Sequence, residues 1–235
     1  MPIHLRAKPG DYTETCLMPG DPRRAQYVAE QFLDDPQQVN EERGLFGYQG
    51  TFGGKLVSVQ ATGMGCPSAA IVIEELIQLG VKRLIRIGTS GGLQPDLELG
   101  DLIVALSSVP ADGTARAYTG GEPHAPTADW DLLHGTVHAA KALGKRPHVG
   151  PIVSTDTFYD PDPGRHQRWA ERGVLAVEME AAALFTIAAL RDVRAACLLV
   201  VSDIVYDNSF KRIDDDALKA AVDQMIELAL TVATE

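Results

Sequence analysis

Cysteine is scarce in this chain. Cys16, Cys66 and Cys197 are the only three in 235 residues, and their wide spacing and odd number exclude a disulfide framework and a CxxC metal site. A reducing cytoplasm is therefore the expected compartment. Long apolar runs are missing too. The longest, Ala195 to Val201, spans seven residues, against the roughly 20 needed to cross a bilayer, so a membrane protein is excluded. The opening Met1-Pro2-Ile3-His4-Leu5-Arg6 carries no apolar stretch of signal-peptide type, and nothing there directs export. Positive charge is in deficit, with 21 Lys and Arg against 32 Asp and Glu and a net charge of −11. That field repels phosphodiester backbones and anionic membrane faces, and it argues against a nucleic-acid partner. An anionic small substrate stays open only if arginines gather locally. No repeat of 20 to 50 residues and no low-complexity tract divides the chain.

What is present is ordinary globular material, 45% hydrophobic and 23% charged, read as a single domain over residues 1–235. Short runs rich in Val, Ile and Leu predict strands at Lys55 to Ala61, Arg83 to Ile87, Asp101 to Leu106, Val149 to Val153, Val174 to Val177 and Ala196 to Val201. Helices are expected between them: Arg23 to Phe32, Pro67 to Leu79 (closed by Gly80), Ala128 to Leu143, Glu180 to Leu190, and Asp214 to Val232 behind three aspartates. The Gly- and Pro-rich stretch Pro110 to Pro126 reads as a long loop. The alternation makes the fold class α/β with a covered, mostly parallel sheet, and the carboxyl ends of its strands are where chemistry belongs.

Those ends are rich in glycine. Strand 55–61 runs into Thr62-Gly63-Met64-Gly65, and strand 83–87 into Gly88-Thr89-Ser90-Gly91-Gly92. A dinucleotide site would need GxGxxG after the first strand and an acid near the end of the second, for ribose hydroxyls. Here the second strand carries Arg86. The pattern fails that test and meets one for phosphate, since glycine loops expose backbone N–H groups and arginine offers a planar fork of donors. Pro19-Gly20-Asp21-Pro22-Arg23-Arg24 adds a glycine turn and arginines at a helix start, and Arg43 follows Glu42 before Gly44. Each alone is a turn or a solvated charge; together they describe an anion pocket in a small-molecule enzyme.

Two carboxylate groups interrupt apolar sequence. Glu178-Met179-Glu180 lies between Val174–Val177 and Ala181–Phe185. Its acids either favour a helix N-terminus or accept hydrogen bonds from the hydroxyls of a polyol such as ribose. Ser202-Asp203 ends the strand 196–201, where partial burial would raise the aspartate's pKa and suit it to act as an acid; the alternative is a turn cap. His134 and His138 sit four apart on an expected helix without a third ligand, so no metal site is expected.

In this order and spacing, Met18-Pro19-Gly20-Asp21-Pro22 with Arg24, Arg43-Gly44, Gly63-Met64-Gly65, Arg86-Ile87-Gly88-Thr89, Val177-Glu178-Met179-Glu180-Ala181 and Ser202-Asp203 make the chain resemble, over essentially its whole length, a bacterial purine nucleoside phosphorylase of the hexameric, small-subunit type. The resemblance implies a three-layer α/β fold with a central mixed sheet flanked by helices. It implies phosphorolysis of purine ribonucleosides or deoxyribonucleosides to free base and pentose 1-phosphate, with inorganic phosphate as co-substrate and neither metal nor organic cofactor. Gly20, Arg24, Arg86 and Thr89 would then hold phosphate, with Arg43 reaching in from a neighbouring subunit. Met64, Met179 and Glu180 would take the ribose, joined by His4 of the neighbour. Ser90, Gly91, Phe158, Glu178 and Ser202 would line the base, and Asp203 would be the proton donor to it. A site shared in this way implies a homo-oligomer, expected as a trimer of dimers.

One departure bears on the substrate. The family often pairs the aspartate with an arginine near the start of the last helix, where this chain has Leu218, with Lys219 beside it and Lys211 and Arg212 earlier. An Asp203 without that arginine points to the 6-oxopurines, inosine and guanosine, first. A uridine phosphorylase is the nearest alternative, because Ser154 to Tyr159 resembles its Ser-Asp-Thr-Phe-Tyr-like segment. The short segment Asp160 to Arg172 leaves no room for that family's Gln and Arg pair for uracil. A hydrolytic nucleosidase of the same fold would have no use for Arg24, Arg43 and Arg86. A catalytically silent nucleoside binder is the third alternative.

Overall fold

The computed structural model describes residues 2–206 and 210–235; Met1 of the opening segment lies outside them. Its strands are β1 (Thr15–Pro19), β2 (Asp34–Asn40), β3 (Gly47–Phe52), β4 (Lys55–Gln60), β5 (Arg83–Gly92), β6 (Leu102–Ala111), β7 (His148–Thr155), β8 (Ala176–Glu178), β9 (Arg194–Ile204) and β10 (Lys211–Arg212). They join in one sheet in the order β10-β9-β6-β7-β8-β5-β1-β4-β3-β2, with β9 also pairing β5. The helices are α1 (Pro22–Phe32), α2 (Cys66–Gln78), α3 (Gly113–Tyr118), α4 (Trp130–Ala142), α5 (Arg165–Ala170), α6 (Ala181–Leu190) and α7 (Asp215–Ala233).

Side chains alternate across each strand, so β9 serves two cores. Ala195, Cys197, Leu199 and Val201 meet α2 and α6 through Ile73, Leu76, Leu184 and Phe185. Ala196, Leu198 and Val200 meet α1, α4 and α7 through Val28, Ala140, Met225 and Ile226. The result is a three-layer α/β molecule. Helix α6 is buried along Ala181 to Ala188, as expected for a helix apolar all round. All three cysteines are free and buried, and burial raises the pKa of each thiol. Among the described residues no helix is long and apolar enough to cross a membrane.

The structure corrects the sequence reading in three places. The sheet is mixed rather than mostly parallel, because β8 runs against β5, β6 against β9, and β3 against both β2 and β4. Gly88 to Gly92 is not a loop but the second half of β5, paired parallel with β9 and, at Gly91 and Gly92, antiparallel with β8. Packing there is tight around glycine. A Cβ on Gly91 would lie 3.1–3.2 Å from Val205 and Val177, and one on Gly92 3.0–3.1 Å from Ile204 and Val201. The stretch Pro110–Pro126 holds α3, whose N-cap Asp112 accepts from the Ala115 N–H.

Strands β1, β4, β5 and β9 are mutually parallel around β5, so their carboxyl ends open on one edge. Gly20, Arg86, Glu180 and Asp203 lie near that edge.

Candidate active site

Arg86 is the centre. It projects from β5 and is buried. Its Nε donates to Glu178 Oε2 at 2.9 Å and its Nη2 pairs with Glu180 Oε2. Burial works against the cation, but the facing carboxylates of Glu180 and Glu178 outweigh it and hold Arg86 firmly protonated. The guanidinium folds back over its own strand, since a Cβ on Gly88 would come within 2.9 Å of Nη2. Glycine is needed at 88 to admit an arginine side chain.

The third nitrogen, Nη1, is buried without a hydrogen-bond partner among the described residues. A Cβ placed on Gly20 would lie 3.9 Å from it and 3.3 Å from the Gly63 carbonyl oxygen. Gly20 thus leaves open the space between the ends of β1 and β4 that this donor faces. Arg24, on the first turn of α1, is near enough to feel the Arg86 charge. Burial lowers its pKa, Asp21 opposes this, and the Arg86 charge adds to the lowering. Asp21 itself is spent as the N-cap, accepting from the Arg23 N–H at 2.9 Å, and Arg24 has no ion-pair partner among the described residues. Two neighbouring cations, one with a buried unused donor, suit an anion. Thr89 lies half-buried on β5.

The two glutamates do different work. Glu178 is enclosed. Besides Arg86 it accepts from the N–H groups of Glu180 (2.9 Å) and Ala181 (3.0 Å) and from the Ser154 hydroxyl. It locks the arginine and caps α6 rather than presenting a free oxygen. Glu180 accepts from the Gly65 N–H at 2.6 Å and from Arg86. Burial raises its pKa, the Arg86 charge pulls it down, and Glu178 adds to the rise. Gly63 and Gly65 both sit in the left-handed region, at φ 72° and 89°, which leaves Met64 between them 84% exposed and turns the Gly65 N–H toward Glu180. Met179 is half-buried between the two acids.

The register of β5 and β9 sets Gly91 opposite Asp203. Ser202 donates to Asp203 Oδ2 at 2.7 Å and lies 3.3 Å from the Ser90 carbonyl oxygen. The other carboxylate oxygen, Oδ1, accepts from Arg212 Nη1 at 3.1 Å. The four base-side residues Ser90, Gly91, Ser202 and Asp203 are thus neighbours. Phe158 is 67% exposed and edge-packed on Tyr159.

Two predicted residues are not brought to this cluster. Arg43 is exposed in a short turn, with φ 56° and no partner among the described residues. His4 is anchored on α2: the N–H groups of Ile3, His4 and Leu5 and the His4 ring all bond to Glu75 at 2.7–3.1 Å. Glu75 lies ten residues beyond Gly65, about 15 Å along the helix at 1.5 Å per residue. His4 borders an open hollow of about 600 Å³ with Pro67, Ile71, Glu74 and Tyr118.

That anchor is pH-dependent. Burial pushes the Glu75 pKa up, but the N–H groups and the His4 ring hold it below its ordinary 4.5. Its folded value is depressed, so its contribution is whole above 4.5 and fades as pH falls through the lower folded value. The amides of residues 3–5 are expected to keep slow hydrogen exchange at neutral pH and lose it under acid, earlier than the strands do. Equal protection at pH 3 and pH 7, after correction for intrinsic rates, would contradict this.

Sequence reasoning missed Ser154 as a site member and named Arg212 only as one of three cations near the place of the absent arginine. Ser154 ends β7 in register with Glu178, also bonds Ser108 at 2.8 Å and accepts from the Ala182 N–H. A serine closing an apolar strand was the available signal.

Similarity to known proteins agrees with this geometry. A model of the phosphorylase superfamily matches residues 14–234. A protein of Caldanaerobacter subterraneus subsp. tengcongensis named purine nucleoside phosphorylase DeoD-type is 46% identical over 234 residues, covering 99% of this chain and 100% of that one. A protein of the same name from a Thermoanaerobacter species is 50% identical over 204 residues, 86% of this chain and 88% of its own. Another from an Exiguobacterium species is 43% identical over 236 residues, 100% and 99% of the two chains.

Proposed function

The chain belongs to the phosphorylase superfamily, among the DeoD-type purine nucleoside phosphorylases, and we propose that it cleaves purine nucleosides with inorganic phosphate. A phosphate oxygen bonds to C1′ of the sugar as the bond from C1′ to N9 breaks. The electron pair passes into the purine, and Asp203 supplies the proton that the departing base takes up at N7. The observation that carries the reading is the buried Nη1 of Arg86, unpartnered among the described residues and facing Gly20, with the Arg24 charge nearby.

Gly20, Arg24, Arg86 and Thr89 hold the phosphate. Glu180, with Met64 and Met179, takes the ribose hydroxyls, exchanging part of its hold on Arg86 for them. Ser90, Gly91, Phe158 and Ser202 border the base. Glu178 serves the site through Arg86. Sugar cation and purine anion both develop in the transition state, so an anion on one face and a proton donor on the other lower the barrier. Side chains and phosphate supply both, and the reaction calls on no cofactor.

The site is completed by a neighbouring copy that donates His4 and Arg43, in a homo-oligomer read as a trimer of dimers in the cytoplasm. Support comes from His4 lying remote from its own Arg86, from Arg43, unpartnered among the described residues, and from the exposed apolar side chains of Met64, Ile71, Phe158 and Tyr159, of the kind subunits cover.

The test is base release from inosine as phosphate is titrated from zero, on the species isolated by size-exclusion chromatography at assay concentration. Saturable dependence on phosphate in an oligomeric fraction is expected. Equal release without phosphate would mean hydrolysis, and full activity in a monomeric fraction would overturn the shared site.

A further inference from the structure

Resting on the reading of phosphorolysis, we propose that Arg212 is the positioning residue for Asp203, taking from a different element the part for which the last helix has no arginine. Four residues could stand beside the aspartate, and the structure disposes of three. Leu218 packs against the core of α1, α4 and α7. Lys219 is committed to Asp223 at 2.7 Å and to the face of Tyr27 at 5.1 Å. Lys211 pairs across the strands with Ile204, one position away from Asp203 and so on the opposite face of the sheet.

Arg212 remains, and its placement is built. Strand β10 runs antiparallel to β9 with Arg212 directly opposite Asp203. The Ile213 N–H bonds the Ser202 carbonyl at 3.0 Å, and the Ile213 side chain is buried. The backbone thereby fixes the register, and Arg212 Nη1 reaches Asp203 Oδ1 at 3.1 Å while Ser202 holds Oδ2 at 2.7 Å. Stability does not account for this pair: the arginine side chain is 58% exposed, and ion pairs of that kind contribute little to folding. A function does account for it. When Asp203 gives up its proton it becomes a carboxylate at the wall of the site, and the Arg212 guanidinium 3.1 Å from Oδ1 is in place as a charge-assisted hydrogen-bond donor to it. Arg212 also holds the carboxyl group against rotation, so that it faces the purine edge.

The 6-oxopurine preference expected from sequence assumed an Asp203 with no arginine beside it. The Arg212 pair removes that ground, and adenosine belongs in the assay with inosine and guanosine.

The test compares Arg212→Ala and Arg212→Lys with the unaltered chain on two nucleosides, inosine and 7-methylguanosine. The second already carries positive charge on its imidazole ring and needs no proton at N7. Arg212→Ala is expected to lower kcat for inosine by about 10- to 100-fold, leave KM for phosphate within about threefold, and keep 7-methylguanosine turnover within about threefold. Arg212→Lys should recover part of the inosine rate, since it keeps the charge without the fork. Equal losses on both substrates would mean a merely structural role, and no loss on either would mean no role; both overturn the assignment while phosphorolysis by the unaltered chain stands. If the unaltered chain itself shows no phosphate-dependent release, the reading of its function falls and this assignment with it.

Discussion

Replacing Arg86 with methionine is expected to abolish phosphate-dependent base release and to lower stability by about 3–5 kcal/mol, the usual effect of removing one partner from a buried ion pair. The reason is the company Arg86 keeps. Glu178 and Glu180 are both buried, and this guanidinium lies between them. Methionine fills most of the volume and leaves two carboxylates facing each other in the interior. Urea unfolding followed by fluorescence of Trp130 and Trp169 should show the midpoint falling by roughly 1–2 M, from typical urea dependences. The deficit should shrink as pH is lowered. In the variant both acids have raised folded pKa values, so the penalty is absent below their unfolded values and grows as pH rises above them. A variant as stable as the parent at pH 8 would show that the acids do not depend on Arg86. Arg86→Lys should fail almost as badly in turnover, because an ammonium cannot bridge two carboxylates and still present a third donor.

Asp203→Asn should slow inosine phosphorolysis by about 10²- to 10³-fold in kcat, within the range assigned to a positioned general acid. Asparagine keeps the shape and can still accept from Ser202 or Arg212, so KM for inosine and phosphate should move by less than about threefold, the pattern of an interaction realised only in the transition state. The measurement is initial-rate release of hypoxanthine at saturating phosphate. Turnover within a factor of about two of the parent would remove Asp203 from the mechanism. This variant and Arg86→Met separate the two halves of the site: one loses chemistry with the fold intact, the other loses both.

The sequence made the framework legible where burial dictated composition. Helices α2, α6 and α7 fall within a residue of their expected ends and strand β9 runs two residues beyond its expected start and three beyond its expected end, because apolar runs and helical spacing leave few alternatives. It was silent where pairing rather than composition makes a strand. Strand β2, Asp-Asp-Pro-Gln-Gln-Val-Asn, is polar, contains Pro36 and survives as an edge; two-residue β10 exists through its pairing with β9. At Gly88–Gly92 the local turn signal was overridden by side chains of β8, β9 and the segment after β9 that no local reading can see. The site divided in the same way. Each of Gly20, Arg24, Arg86, Glu180 and Asp203 could be picked out by residue type at a strand end. What they do to one another could not, since Arg86 and Glu178 stand 92 positions apart and the Arg212 contact depends on a strand register. Glu178, expected at the base, is also the residue that fixes the arginine.

The burial of all three thiols has a practical meaning. A thiol that is both enclosed and held protonated does not meet a maleimide or a disulfide reagent until the surrounding core opens, so the uptake of label at Cys16, Cys66 or Cys197 is a clock for opening of the molecule. The folded protein is in effect a blank for sulfhydryl chemistry. One cysteine introduced on an exposed turn gives a unique handle for a fluorophore or a surface tether, with the native thiols left in place.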